Sequence, residues 1–309
     1  MLVKNILYTC VGGEKGNEYS DMSVLLIKSI NYNIRQKNRK ERQIHKKDNE
    51  FKKNTLKKID FVFIIIADHY QYSYISSKIS QLRKRNKIHF PIIVKQVHLT
   101  DPFMLKLCIF DILPPKNKYK YNALLYIDAD ILCGEHFDIS HFIQKSCQSF
   151  LESENNHIHA LSESFDTVEN MHKLSYFSVN EYNQETLDYF TKENIYPFNT
   201  GLFSISASQE MDFNFHNIIE SMTQDKQAGK SAFTEQSYMN QFFCVKNLIK
   251  YDRITSQDCV LFVRPNQCFE NNTLLHFCGE IGQNQKKLQF ITDFIKQHTS
   301  KQFSKHLLS

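Results

Sequence analysis

The sequence predicts an α/β protein whose central sheet is mostly parallel and covered by helices on both faces. Strand-like apolar runs alternate with helical patterns over the first half of the chain, and the run IDFVFIIIAD at 59–68 is apolar almost throughout. Continuous runs of this kind are typical of strands buried on both faces, and strand–helix alternation is typical of parallel sheets. We expect a single domain over residues 1–309.

The predicted elements follow one another in a regular order. In the first helix, Val24, Ile27 and Ile30 recur at helical spacing. The helix at 101–113 opens with Asp101 as its N-cap and Pro102 as its first residue. The expected strands are 3–9, 59–68, 90–99, 121–127, 157–163, 199–207 and 272–280, and the expected helices are 21–35, 72–85, 101–113, a polar stretch near 166–194, and 235–243.

The positive charge is concentrated in one segment. The net charge is +5, but residues 35–58 hold eleven Lys/Arg against three acids, a local balance of +8 that leaves −3 for the rest. Such a run is usually a solvated helix or a flexible insertion. Phe51 is its one aromatic residue, so nucleic-acid binding is not expected. Contact with a membrane surface or an acidic partner is the alternative.

The cysteine pattern and the hydropathy limit which class of protein the sequence can encode. None of the eight cysteines forms a CxxC pair, and we expect Cys108, Cys133, Cys244 and Cys278 to be buried reduced thiols. The sequence contains neither a signal-peptide pattern nor an apolar run of about 20 residues, the length that a membrane span needs. These observations predict a cytoplasmic protein without a transmembrane segment.

One predicted strand ends in paired carboxylates. The stretch YNALLYIDADILCGEHF at 121–137 places Asp128 and Asp130 directly after a buried strand. A solvated turn is one interpretation. The other is a metal site at the carboxyl edge of the sheet, where ligands bind in open parallel sheets, because two carboxylates one residue apart can converge on a divalent cation. His276, in the run LLHFCG, is the candidate third ligand, and Gly279 would allow close backbone approach.

Several ordered blocks resemble the glycogenin-like retaining glycosyltransferases of glycosyltransferase family 8, which have a GT-A fold. Together the blocks span residues 6–279, nearly the whole chain. The resemblance implies a Rossmann-like nucleotide-diphospho-sugar transferase domain. The blocks are YTC…EYSDMSVLLIKSI, MLKLCIFDIL, LLYIDADIL, PFNTGLFSIS, TEQSYMNQFF and LLHFCG.

The resemblance also implies roles for individual residues. Asp128, Asp130 and His276 would hold the metal. Tyr19 would pack on the uracil of the donor, Lys106 would contact the donor, and Asn199 and Glu163 would face the donor sugar. Glu235 and Gln236 would lie beside the anomeric carbon. The local alternatives are a turn cap for Asn199, helix-entry packing for Tyr19 and a surface carboxylate for Glu163.

Two positions depart from the family pattern. The family follows H-F-x-G with Lys-Pro-Trp, whose lysine contacts the diphosphate, whereas this chain has Gly282 and Gln283 near that position. Lys286 and Lys287 are the candidate substitutes. The chain also has Glu235 where the family has aspartate, and Ala232 where glycogenins carry a further acid.

The expected function is that of a metal-dependent glycosyltransferase. It would transfer a hexose or related sugar from a UDP-sugar to an acceptor hydroxyl, with retention, using Mn²⁺ or Mg²⁺. The expected partners are the nucleotide sugar, a carbohydrate or protein acceptor, and a second copy of the chain in a homodimer. The alternatives are a catalytically impaired binding module and a sugar nucleotidyltransferase. The second would need a Gly-rich basic signature loop, which VGGEKGNEYS resembles only faintly because it lacks the usual arginine.

Overall fold

The computed structural model describes residues 5–13, 18–47, 61–85, 88–99, 101–148, 150, 154–163, 184–193, 195–229, 234–264, 271–278 and 286–309. The strands are β1 (Asn5–Val11), β2 (Phe61–Ala67), β3 (Ile92–Gln96), β4 (Ala123–Ile127), β5 (Ile131–Cys133), β6 (Ile158–Ser162), β7 (Phe198–Ser206), β8 (Ile249–Lys250), β9 (Cys259–Val260) and β10 (Leu274–His276). The α-helices are α1 (Glu18–Lys47), α2 (Tyr72–Arg85), α3 (Ile109–Ile112), α4 (Ile139–Ser146), α5 (Gln184–Lys192), α6 (Gln209–Gln227), α7 (Glu235–Val245), α8 (Lys287–His298) and α9 (Lys301–Leu308). A 3₁₀ helix (Pro102–Cys108) precedes α3.

The larger sheet has seven described strands in the order β3-β2-β1-β4-β7-β6-β8. The strand β1 pairs in parallel with β2 and β4, with Asn5 opposite both Phe61 and Ala123. Only β7 runs against its neighbours, pairing antiparallel with β4 and β6. The expected mostly parallel α/β sheet is therefore confirmed.

The core confirms that the central strands are covered on both faces. All seven residues of β2 are buried, and the alternate side chains of the strand enter two different apolar clusters, with Ile64 and Ile66 in one and Phe63 and Ile65 in the other. Burying one such side chain contributes about 1.5–3 kcal/mol. The continuous apolar run at 59–68 thus reflects helices packed on both faces of the sheet.

A second, smaller sheet carries the last strand. It has the order β5-β10-β9, and β10 pairs antiparallel with β5, placing His276 opposite Ile131. The expected strand at 272–280 is confirmed only for Leu274–His276, and 279–280 lie outside the described residues. This small sheet places His276 beside the turn at 128–130 that connects β4 to β5.

The helix that begins after Asp101 is tighter than expected. The Asp101 carboxylate accepts a hydrogen bond from the backbone N–H of Phe103 at 2.9 Å, which confirms its capping role. However, residues 102–108 form a 3₁₀ helix, and α-helical geometry begins only at Ile109. The expected helix is therefore present, with 3₁₀ geometry at 102–108 and α-helical geometry at 109–112.

The basic segment continues the first helix. Residues 35–47 belong to α1, which agrees with the helical interpretation, and 48–58 lie outside the described residues. The polar stretch at 166–194 was expected to be helical. Its described residues, 184–193, contain α5, and the rest of the stretch lies outside the described residues. Within the described ranges, no helix combines the length and apolar character that crossing a bilayer requires.

The described cysteines are free thiols. Cys108, Cys133 and Cys244 are buried as expected, and burial raises the pKa of Cys133 to about 12. Cys278 is only partly buried, so the expectation of full burial was wrong for this residue. It lies two residues after His276, the last residue of β10, and lines a cavity with it.

Candidate active site

The predicted site residues converge on one cavity of about 410 Å³ at the carboxyl edge of the larger sheet. The parallel strands β1 and β4 end there, and β7, which runs the opposite way, begins there. Gly279 lies outside the described residues. The other nine predicted residues line this cavity: Tyr19, Lys106, Asp128, Asp130, Glu163, Asn199, Glu235, Gln236 and His276.

The acidic turn after β4 is held by backbone and side-chain bonds. The N–H of Asp128 donates to the carbonyl of Gly201 at 2.8 Å, and the N–H of Ile131 donates back to the Asp128 carbonyl at 3.1 Å. The hydroxyl of Tyr126 donates to Oδ1 of Asp128. Asp130 is buried, and its Oδ1 lacks a hydrogen-bond partner among the described residues. The turn therefore points two carboxylates into the cavity.

His276 completes a cluster with the two aspartates. Its Nε2 lies 3.3 Å from Oδ1 of Asp130 and 3.7 Å from Oδ2 of Asp128. One ligand atom from each of the three residues falls within 4.8 Å of the others. Burial lowers the pKa of His276, but the charge and hydrogen bond of Asp130, together with Cys278, outweigh burial and raise that pKa well above its ordinary value. Carboxylates with one imidazole form a donor set that suits a divalent cation, so the three residues fit the expected metal.

Close approach of β7 to this cluster requires a glycine. A Cβ at Gly201 would lie 2.4 Å from Cε1 of His276 and 2.6 Å from Oδ2 of Asp128. Both distances are shorter than any ordinary contact, so a side chain there would displace the candidate ligands. The glycine of the block PFNTGLFSIS thus has a physical reason in this chain.

Lys106 lies between two acidic residues of the cavity wall. Its Nζ is 2.8 Å from Oε1 of Glu235 and 3.8 Å from Oδ1 of Asp128, and it donates to the carbonyl of Thr200 at 3.1 Å. Burial lowers the pKa of Lys106, but Asp128 and Glu235 outweigh burial and raise it. The lysine is therefore a permanent cation that links the acidic turn to the start of α7.

A second polar network joins three further predicted residues. The Nδ2 of Asn199 donates to Glu163, and the Nε2 of Gln236 donates to the other carboxylate oxygen of Glu163 at 3.3 Å. The Oδ1 of Asn199 also accepts from the N–H of Gly201 at 2.9 Å. Asn199 therefore caps the turn before Gly201 and lines the cavity as well, so its two interpretations are compatible.

A lysine from the end of the chain also reaches the cavity. The Nζ of Lys287 lies 2.8 Å from Oδ2 of Asp130, while Lys286 is the N-cap residue of α8. Burial lowers the pKa of Lys287, and Asp130 outweighs burial and raises it. Tyr19, near the start of α1, is exposed and lines the same cavity. Of the two candidate substitutes for the missing family lysine, Lys287 is the one that lines the cavity.

Sequence reasoning missed several residues of the cavity wall. Thr200 lies within the quoted block PFNTGLFSIS, and its hydroxyl contacts Gln236 at 3.2 Å. Tyr126 lies within LLYIDADIL, and its role as a donor to Asp128 could have been inferred from its position two residues before that aspartate. Phe262 has a φ of 54° and lines the cavity. No local pattern marks Phe262, which lies just after β9 and before Val263, whose N–H donates to the carbonyl of His276 at 3.2 Å.

Comparison with known proteins supports this fold. No family model matches the sequence, and no curated protein matches it. Among solved structures, the chain is similar to the galactosyltransferase LgtC of glycosyltransferase family 8, crystallised in complex with donor and acceptor sugar analogues. The similarity covers 98% of this chain and 99% of that chain, with a TM-score of 0.52 and 12% identity. At this identity the likeness concerns the fold, and it confirms the expected GT-A fold of the glycosyltransferases.

Proposed function

We propose that the protein is a metal-dependent glycosyltransferase that transfers a hexose or related sugar from a UDP-sugar to an acceptor hydroxyl, with retention of configuration. The observation that carries this proposal is the cluster of Asp128, Asp130 and His276 in a cavity at the carboxyl edge of a GT-A sheet. A solvated turn would leave both carboxylates in water, whereas Asp130 is 6% exposed.

The electrostatics of the cavity suit an anionic donor. A divalent cation held by Asp128, Asp130 and His276, Mn²⁺ or less ideally Mg²⁺, would act as a Lewis acid on the leaving diphosphate. Lys287 and Lys106 add two fixed positive charges that would stabilise negative charge developing on the phosphates. Tyr19 offers an exposed ring for packing on the uracil base.

The residues at the start of α7 would line the reacting face of the sugar. Gln236 is held by Glu163 and Thr200, and Glu235 has one buried carboxylate oxygen, Oε2, that is not hydrogen-bonded by the described residues. These groups would orient the acceptor hydroxyl beside the anomeric carbon. Glu163 and Asn199 would hold the hydroxyls of the donor sugar.

A second candidate is a binding module that holds a nucleotide sugar without transferring it. One observation favours it. Lys106 forms an ion pair with Oε1 of Glu235, so this oxygen is already engaged, although the proposed transfer places Glu235 beside the anomeric carbon. Turnover separates the two candidates. Transfer with any donor and acceptor excludes the binding module, and nucleotide binding without turnover across donors and acceptors supports it.

Calorimetric titration of UDP into the protein, with and without Mn²⁺, tests the proposed site. We expect binding that depends on Mn²⁺, followed by identification of the sugar with a panel of UDP-sugar donors. Equal binding with and without the cation would remove the metal from the proposal. Absence of binding under both conditions would contradict a nucleotide site.

A further inference from the structure

A second cavity, of about 640 Å³, lies between α1, the turn before β3 and α9. No residue that lines it belongs to the candidate active site. Its charged lining comes from Arg35, Arg39 and Arg42 of α1 and from Lys305 of α9, and His89 and His306 also contribute. We call this cavity the basic groove. Its lining includes five residues between 35 and 42 of the basic segment, for which the proposed function has no use.

The arginines of the basic groove share one face of α1. Residues 35, 39 and 42 are spaced by four and three positions, which places their side chains on one side of a helix. The lining includes no aspartate or glutamate, and within the described ranges none of the four cations has a carboxylate within ion-pair distance. Lys37 on the same helix differs, because its Nζ lies 3.0 Å from Asp138. The groove therefore concentrates positive charge that the described residues do not neutralise.

Two further residues bear on the charge of the basic groove, His306 in its lining and Glu135 beside Tyr32. Burial and the positive charge of Arg35 lower the pKa of His306, whose Nε2 is buried without a hydrogen-bond partner among the described residues. The carboxylate of Glu135 accepts from the hydroxyl of Tyr32 at 3.5 Å, but the N–H and hydroxyl of Ser300 already bind that carboxylate. Glu135 thus binds Ser300, the N-cap residue of α9, and among the described residues no cation of the groove lies within ion-pair distance of it.

We propose that the basic groove binds a compact anion that carries two or more phosphate groups. Guanidinium groups bind phosphate oxygens through paired hydrogen bonds, and three of them on one helix face can bind more than one phosphate. The neutral side chains of Gln36, Asn38 and Gln302 supply further polar contacts. Single-stranded nucleic acid would need exposed stacking aromatics, whereas Tyr32, the aromatic residue of the lining other than the histidines, is 6% exposed. The phosphates could belong to a soluble polyphosphate or to a lipid headgroup.

Two titrations distinguish these sources. Tripolyphosphate is titrated into the protein by calorimetry, and vesicles of phosphatidylcholine with and without a phosphatidylinositol bisphosphate are tested by co-sedimentation. Both assays contain EDTA, so that Asp128 and Asp130 cannot bind phosphate through a divalent cation. Binding of tripolyphosphate alone identifies a soluble ligand, and binding of the phosphoinositide vesicles alone identifies a headgroup. Binding of neither probe, or preference for a single-stranded RNA over both, would overturn the proposal.

Matched variants test the position of the site. The double variant Arg39→Gln/Arg42→Gln removes two charges from the groove, and Lys37→Gln/Lys40→Gln removes two charges from the same helix outside it. We expect the first to weaken binding by about tenfold or more and the second to change it by no more than about twofold. Equal weakening in both variants would mean that the net positive charge of the protein attracts the anion, and it would contradict binding in a defined groove. UDP binding with Mn²⁺ serves as the folding control, since neither variant alters the candidate active site.

Discussion

The ammonium of Lys106 and the carboxylate of Glu235 form a buried ion pair, with Nζ 2.8 Å from Oε1. Both side chains are 8% exposed, and the residues come from different elements, the 3₁₀ helix and the first turn of α7. Because Lys106 also lies 3.8 Å from Asp128, it connects the candidate metal ligands to the residues proposed to face the anomeric carbon. The pair thus links two parts of the cavity that are far apart in the chain.

Replacing one member of this pair should destabilise the fold. Lys106→Met leaves the buried Glu235 carboxylate without its cation, and removing one partner of a buried pair costs about 3–5 kcal/mol. Urea unfolding of the variant measures the loss, and Lys106→Met/Glu235→Gln should recover part of it because the unpaired charge is gone. A single variant as stable as the wild type would show that the pair contributes nothing.

Asp130→Asn should abolish Mn²⁺-dependent UDP binding. The substitution replaces a charged oxygen of the candidate metal cluster with an amide, and carboxylate ligands hold divalent cations largely through their charge. Calorimetry with and without Mn²⁺ measures the effect. Asp293→Asn, in a surface ion pair with Lys296, is the matched control and should bind as the wild type does. Unchanged affinity in Asp130→Asn would exclude the metal site.

Gly201→Ala should impair the same site through its shape. The new Cβ would lie 2.4 Å from His276 and 2.6 Å from Asp128, so the candidate ligands must move apart. We expect Mn²⁺-dependent UDP affinity to fall by about tenfold or more, together with a loss of about 1–3 kcal/mol of stability from overpacking. Ser204→Ala, in the same strand, is the control. Wild-type affinity in Gly201→Ala would mean that the three ligands do not act as one cluster.

Stability should fall as the pH decreases from about 6.5 to about 4. Burial, with the charge of Arg253, lowers the pKa of His159 from 6.5 to about 4, although the carboxylate of Asp252 lies 3.0 Å from Nδ1 and opposes the shift. In this interval the unfolded chain binds a proton that the folded chain does not, so the free energy of unfolding decreases with falling pH, by about 3 kcal/mol in total.

Urea unfolding at pH 7 and pH 5 measures this dependence. His159→Gln should have a flatter dependence than the wild type, because it removes the titrating group. His98→Gln, at an exposed position, should keep the dependence of the wild type. The same slope in wild type and His159→Gln would assign the acid sensitivity to other residues.

The elements that could be predicted from the sequence are those with a strong local signal. The apolar run of β2 and the helical spacing of α1 and α2 predicted their elements, and α2 has the predicted bounds of 72–85. The direction of β7 could not be predicted, since side-chain alternation is the same in parallel and antiparallel strands. The helices α4, α6, α8 and α9 were missed, although Asp138, Ser208 and Ser300 cap α4, α6 and α9 with their side chains.

The sequence by itself determined the α/β class, the acidic end of β4 and nine of the residues that line the cavity, because these depend on local periodicity and on the order of the blocks. Tertiary structure alone decided that Lys106 pairs with Glu235, that Lys287 rather than Lys286 reaches Asp130, and that the arginines of α1 face α9 across a groove. Lys287 and Asp130 are 157 positions apart. Whether such residues meet depends on how helices and strands pack. The local sequence pattern assigns a residue to a helix or strand and to one face of it, but it does not specify which distant residue that face contacts.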